Sequence, residues 1–156
     1  MAYTKDQIKQ NYPLPVYNYR VEIGGEAIAF SNVAGLHVEF GTHVYKESST
    51  GTNAGPVVMR MPAQATDLKI TLKKGLVRKK SLPALYNWIS TVQLNLIEKK
   101  DIFIYLLDET GSPVITWTVF NAFPTKLDAP TFDASSNDAA IETMELMADA
   151  VSVSEG

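Results

Sequence analysis

The 156-residue chain carries 46% hydrophobic and 20% charged residues, a formal net charge of −3 and no cysteine. That composition fills the core of about one domain, and it excludes a disordered chain, a disulfide scaffold and any thiolate metal or nucleophile site. No run approaches the ~18 apolar residues of a membrane span, and MAYTKDQIKQNY at the N-terminus holds no apolar stretch of signal-peptide length, so a product soluble when made is expected.

Residues 1–15 are polar and end in Tyr12, Pro13, Leu14 and Pro15, which favours an extended arm over a helix. In VYNYRVEI (16–23) Tyr17, Tyr19, Val21 and Ile23 alternate with polar residues, the period of a half-buried strand. Gly24-Gly25 supplies a hairpin turn and EAIAF the returning strand. LHVEF (36–40) alternates again between Gly35 and Gly41, and THVYKE continues it. The segment 46–58, KESSTGTNAGPVV, is rich in Ser, Thr, Gly and Asn. It is either a long loop or an extended hairpin ordered by a neighbour.

TDLKITLKK (66–74) places Leu68, Ile70 and Leu72 on one strand face and Lys69, Thr71 and Lys73 on the other, ending at Gly75. A single helix is expected next, with Ser81 as cap, Pro83 in the first turn, and Leu85, Trp88, Ile89, Val92 and Leu96 along one face. DIFIYLLD (101–108) is apolar on both faces and reads as a central strand. DETGSP turns it into VITWTVF (114–120). NAFPTKLDAPTFDASSND, with two prolines, reads as loop. The last run alternates Glu142, Met144, Leu146 and Ala148 against Thr143, Glu145, Met147 and Asp149; its Ala, Glu, Met and Leu also suit a helix, and the alternation favours a final strand. The sum is one mainly β domain over 1–156, an antiparallel sandwich or barrel with one flanking α-helix.

Catalytic constellations are absent from the pattern. His37 and His43 lack the spacing of metal ligands, GLVRKKS lacks the phosphate-loop spacing, and Asp108 and Glu109 occupy a turn. No enzyme activity, cofactor or metal is expected. Charge, in contrast, is segregated. Lys69, Lys73, Lys74, Arg78, Lys79 and Lys80 lie within twelve residues, whereas no Lys or Arg follows Lys126 and the tail carries Asp133, Asp138, Glu142 and Glu145 among its acids. A nucleic-acid binder normally shows a basic balance with aromatic or arginine readers, and this chain is acidic overall. Three readings stand: a solvated face, a patch for anionic partners on a small β-barrel binding module, or complementary patches joining copies of the chain head to tail.

WTVFNAFPTKLDAPTFDASSNDAAIETMELMAD (117–149) resembles the tube proteins of contractile phage tails and related injection machines. ITLKKGLVRKKSLPALYNWI and the opening strands YPLPVYNYRVEI and FSNVAGLHVEF carry the same likeness, and NLIEKKDIFIYLLDETG resembles in particular the inner tubes of extracellular contractile injection systems of the antifeeding-prophage and virulence-cassette kind. Together they cover roughly residues 12–153. The resemblance implies the tail tube fold and homo-hexameric rings stacked head to tail as a hollow tube. Sheath and baseplate proteins are the implied partners, with protein cargo in the lumen. The alternative within it is a phage tail passing DNA. It also implies assembly in the cytoplasm of the producing cell, release within a particle, and a hairpin at 46–58 reaching the adjacent ring. The charge segregation makes the ten charged residues named above candidates for intersubunit or inter-ring pairing.

Overall fold

The computed structural model describes residues 2–52, 54–92 and 96–156. Its elements are α1 (Lys5–Asn11), β1 (Tyr19–Ile23), β2 (Glu26–Ile28), β3 (Asn32–Ala34), β4 (Phe40–Glu47), β5 (Val57–Ala65), β6 (Leu68–Gly75), α2 (Asn87–Ile89), β7 (Lys100–Leu107), β8 (Pro113–Asp128), β9 (Ile141–Ala148) and β10 (Ala150–Glu155). The strands are antiparallel in the order β2-β1-β7-β8-β9-β6-β3, β10 lies along the first half of β8, and β4 and β5 form a separate two-stranded sheet.

One core joins the two halves of the large sheet. Val21 and Ile23 of β1, with Ile102 and Ile104 of β7, face Leu68, Ile70 and Leu72 of β6 and Met144 and Leu146 of β9, all buried in a single cluster. In β1, β6 and β9 these are the inward residues that period-2 alternation marks, whereas β7 is apolar on both faces. Leu85 and Trp88 close the cluster from the helical segment, and the indole N–H of Trp88 donates to the Glu98 carbonyl at 2.8 Å. A buried indole is thereby satisfied.

The crossing between the halves is made by β8. Its first half pairs with β7 and β10, and its second half with β9. Where the partner changes, the register slips between Lys100 and Ile102, and Asn121 takes a left-handed backbone at φ 54. The Asn121 amide N–H donates to Asp101 Oδ1 at 3.0 Å and its side-chain Nδ2 to Asp149 Oδ2 at 2.9 Å. Asparagine tolerates this conformation, and the extra residue re-aims the strand. The expected loop over NAFPTKLD is therefore strand. Pro124 fits because the second half of β8 pairs on one side only, with β9.

Three other expectations need correction. The arm over 1–15 contains α1, held by a capping box in which Thr4 Oγ1 accepts from the Gln7 N–H and Gln7 Oε1 accepts from the Thr4 N–H. There are thus two helical segments, not one. The segment LHVEF is not a strand: β3 precedes it at Asn32–Ala34 and β4 begins only at Phe40. Gly35, at φ +95, lies so close to the β6 backbone that a Cβ there would sit 2.2 Å from the Lys69 carbonyl oxygen, and this approach breaks the strand.

The helix differs too. Residues Leu82–Tyr86 form a π-helical turn that runs into α2 and stops at Ser90. Ser81 does not cap it; the Ser81 hydroxyl instead accepts from the Val77 N–H at 2.8 Å. Val92 and Leu96 are exposed, and residues 93–95 of the expected helix lie outside the described residues.

Candidate assembly surfaces

The β4–β5 sheet projects from the domain without packing on it. Every residue of β5 is exposed, as is every residue of β4 except the half-buried Gly41. Register sorts its side chains by face. His43 opposes Met61, Tyr45 opposes Met59 and Glu47 opposes Val57, which makes one face largely apolar. Val44 with Arg60 and Lys46 with Val58 make the other face mixed. The strands run from Phe40 to Glu47 and from Val57 to Ala65, so the segment expected at 46–58 overlaps only the end of one and the start of the other, within a longer ribbon starting at Phe40; residue 53 of that segment lies outside the described residues. The alternation Val57, Met59, Met61, Ala63 was the available signal for its second strand.

A second apolar surface is a groove of about 1040 Å³ at one mouth of the domain, lined by Tyr17, Tyr19, Phe30, Leu36, Leu106 and Trp117 among others. Among the described residues β2 and β3 at the ends of the large sheet, and β10 alongside β8, each pair on one side only and so add unpaired backbone groups.

The charged residues divide into three sets. Lys69 and Lys73 point outward from β6, and Glu145 of β9 lies opposite Thr71 between them, so acid and base share one face of the same subunit. Lys74 and Glu142 oppose each other on the inner face, buried to 5% and 7% exposure. Burial raises the Glu142 carboxyl above the ordinary range, against the pull of the Lys74 charge. Arg78, Lys79 and Lys80 lie exposed in the turn after β6, and Asp133 and Asp138 in the loop before β9. The Ser135 hydroxyl and amide hold the Asp133 carboxyl below the usual range by hydrogen bonding. Among the described residues, none of these ten groups forms an ion pair within 4.0 Å. The long-range register of β6 with β9, invisible in linear sequence, is what places the basic and acidic segments side by side.

Among the described residues no group of three or more His, Asp or Glu is placed to hold a metal, and no helix is long and apolar enough to cross a membrane. The His37 Nδ1–H donates to the Gly35 carbonyl at 2.9 Å, which gives that histidine a local structural partner.

The model of the T4-like virus tail tube protein gp19 family matches residues 15–152. The chain belongs to this tail tube family. It is a structural tube protein of contractile tails and tail-like injection systems, not an enzyme. It is 40% identical, at a TM-score of 0.89, to a chain in the PVC sheath-tube complex of an extracellular contractile injection system in its extended state, over 99% of this chain and 100% of that one. To a chain in the structure of the anti-feeding prophage cap, the AFP tube terminating cap, it is 41% identical over 100% of both chains, at a TM-score of 0.85. Hcp1 from Flavobacterium johnsoniae, 17% identical over 90% of this chain and 97% of that one at a TM-score of 0.52, shares the fold. No curated protein sequence matches the chain significantly.

Proposed function

We propose that copies of this chain close into six-membered rings, which stack head to tail as the hollow inner tube of an extracellular contractile injection particle. The tube assembles in the cytoplasm of the producing cell, inside a sheath and on a baseplate, and carries protein cargo. The observation that carries this reading is the unpacked β4–β5 hairpin. An isolated two-stranded ribbon is marginal in water, and an exposed face bearing Tyr45, Met59 and Met61 calls for cover that the subunit does not provide. A neighbouring subunit supplies that cover, and the free β3 and β10 edges give adjacent copies strands to pair with.

The charged residues of the 69–80 and 133–145 segments orient this assembly. Exposed pairs contribute individually only ~0–1 kcal/mol, so their part is to select which faces meet. Lys74 and Glu142, buried inside the subunit, are not available for those pairs.

The tail of a contractile phage, with DNA in the lumen, is the second reading, supported by the family that matches the chain. The likeness to injection-system chains at 40% and 41% identity favours the first. Negative-stain electron microscopy of the purified protein tests both. Stacked six-fold rings are expected, and a protein that stays monomeric at every concentration would end the proposal. Nuclease-protected DNA in isolated particles would select the phage tail.

A further inference from the structure

Phe132 is the most exposed large hydrophobic residue among those described, at 86%, and it stands in the loop between β8 and β9. The loop is ordered around it: the Ser135 N–H and hydroxyl both donate to Asp133 Oδ1, at 3.0 and 2.7 Å, and the Asp138 N–H donates to Ser136 Oγ at 3.1 Å. These turns occupy the polar groups locally and leave the ring in water. An exposed aromatic flanked by Asp133 and Asp138 is an acidic knob with an apolar centre.

A surface of the opposite kind lies after β6. Leu76 and Val77 are exposed there, as are Leu82 and Tyr86, four positions apart on the first helical turn. The Ser81 N–H donates to the Val77 carbonyl at 3.1 Å and the Val77 N–H to Ser81 Oγ at 2.8 Å, which closes the turn that carries Leu76 and Val77 into the helical segment bearing Leu82 and Tyr86. The intervening Arg78, Lys79 and Lys80 rim it with positive charge, and Lys79 is held in a left-handed conformation at φ 65. A turn fixed in this way presents its cations with little further ordering cost.

Within one subunit the two features do not satisfy each other. The Leu76 N–H donates to the Ala140 carbonyl at 2.9 Å, so both loops leave the same end of the β6–β9 ladder, yet no ion pair forms between them within 4.0 Å among the described residues. Hydrophobic content and charge match across copies instead: aromatic knob to apolar patch, two carboxylates to three cations.

We infer that the Phe132 loop of one copy docks on the Leu76–Tyr86 surface of a second copy, with Asp133 and Asp138 against Arg78, Lys79 and Lys80. The contact presupposes the assembly proposed above and names the residues that make part of it. Knob and patch leave the same end of the β6–β9 ladder.

Charge reversal tests this on the full chain, read by sedimentation and electron microscopy. Lys79→Glu with Lys80→Glu, and separately Asp133→Lys with Asp138→Lys, should each lower the assembled fraction about tenfold, and the combined four-fold variant should recover most of it. Phe132→Ser should lose assembly while the thermal midpoint of the dispersed subunit stays put. If the wild type forms rings and both reversed variants assemble equally well, or the combined variant does no better than either, this contact is overturned while the tube reading stands. A wild type that never assembles overturns both. Salt-sensitive binding of duplex DNA by dispersed wild-type subunits, lost in the Lys79/Lys80 variant, would assign the patch to nucleic acid and remove the inference.

Discussion

Lys74 and Glu142 face each other across the β6–β9 ladder on the core side of the sheet, both more than nine-tenths buried, without an ion pair between them. Lys74 Nζ donates to the Gly75 carbonyl at 3.3 Å, and Glu142 Oε1 has no hydrogen-bond partner. Two charges have been drawn from water and only partly repaid, an arrangement that stabilises little and punishes the loss of either partner.

Removing one member should therefore cost more than removing both. Lys74→Met is expected to destabilise the dispersed subunit by about 3–5 kcal/mol, because a carboxylate remains buried without its counter-charge. Lys74→Met combined with Glu142→Leu should return to wild-type stability or exceed it by up to about 4 kcal/mol. Urea denaturation of the three proteins checks this, and a double variant as weak as the single one would contradict it.

The same carboxyl gives a pH signature. Burial raises the Glu142 pKa in the folded state, so the folded chain binds this proton more readily than the unfolded one. Its contribution to stability accordingly grows as pH falls through the raised value, levels off below the ordinary carboxylate range, and is lost again as pH rises. Thermal midpoints of wild type minus Glu142→Gln should climb as pH is lowered from neutral towards that range. A difference that is flat or falls towards acid would show that the group is not held this way.

Gly35→Ala should destabilise the fold by at least about 1–3 kcal/mol, the scale of backbone strain in a conformation that L-residues avoid. The added Cβ also meets the Lys69 carbonyl oxygen, a backbone atom with no free rotation to escape, so β3 must lift from β6. The expected observation is a lower denaturation midpoint with an unchanged slope; a midpoint equal to wild type would refute the close approach.

The hairpin separates stability from assembly. Leu146→Ala removes a fully buried side chain and should cost about 2–5 kcal/mol in the subunit. Met59→Ala should stay within about 0.5 kcal/mol, since its side chain packs on nothing in the subunit core, yet it should impair tube formation. Limited proteolysis should cut the free subunit first within residues 48–56 and leave the assembled tube resistant there. Equal resistance in both forms would count against the hairpin as an assembly element.

Much of the architecture is written in local periodicity. Alternation marks the inward faces of β1, β6 and β9, and the doubly apolar DIFIYLLD marks β7 as a strand flanked on both sides, between β1 and β8. The missed elements share a cause. The strand continuing through Asn121 and Pro124 carries residues that signal a loop when read alone, and it stays extended only because β9 pairs with it. The local signal for the N-terminal helix is the Thr4 to Gln7 capping spacing, which the prolines at 13 and 15 do not reach. Phe132 stood out nowhere in linear sequence, because an aromatic residue in a loop is remarkable only once it is found uncovered.

The amino-acid order by itself determined the strand-rich class, the absence of catalytic patterning and the separation of positive from negative segments, since each depends on residues near one another in the chain. Only the tertiary structure decided that the basic strand lies beside the acidic one in the same subunit. It also decided that Lys74 and Glu142 are inside while Arg78, Lys79 and Lys80 are outside, and that a whole hairpin stands unsupported. Register between β6 and β9 joins residues some seventy positions apart, and pairing over that distance is set by which faces can be buried together, a property of the packed whole.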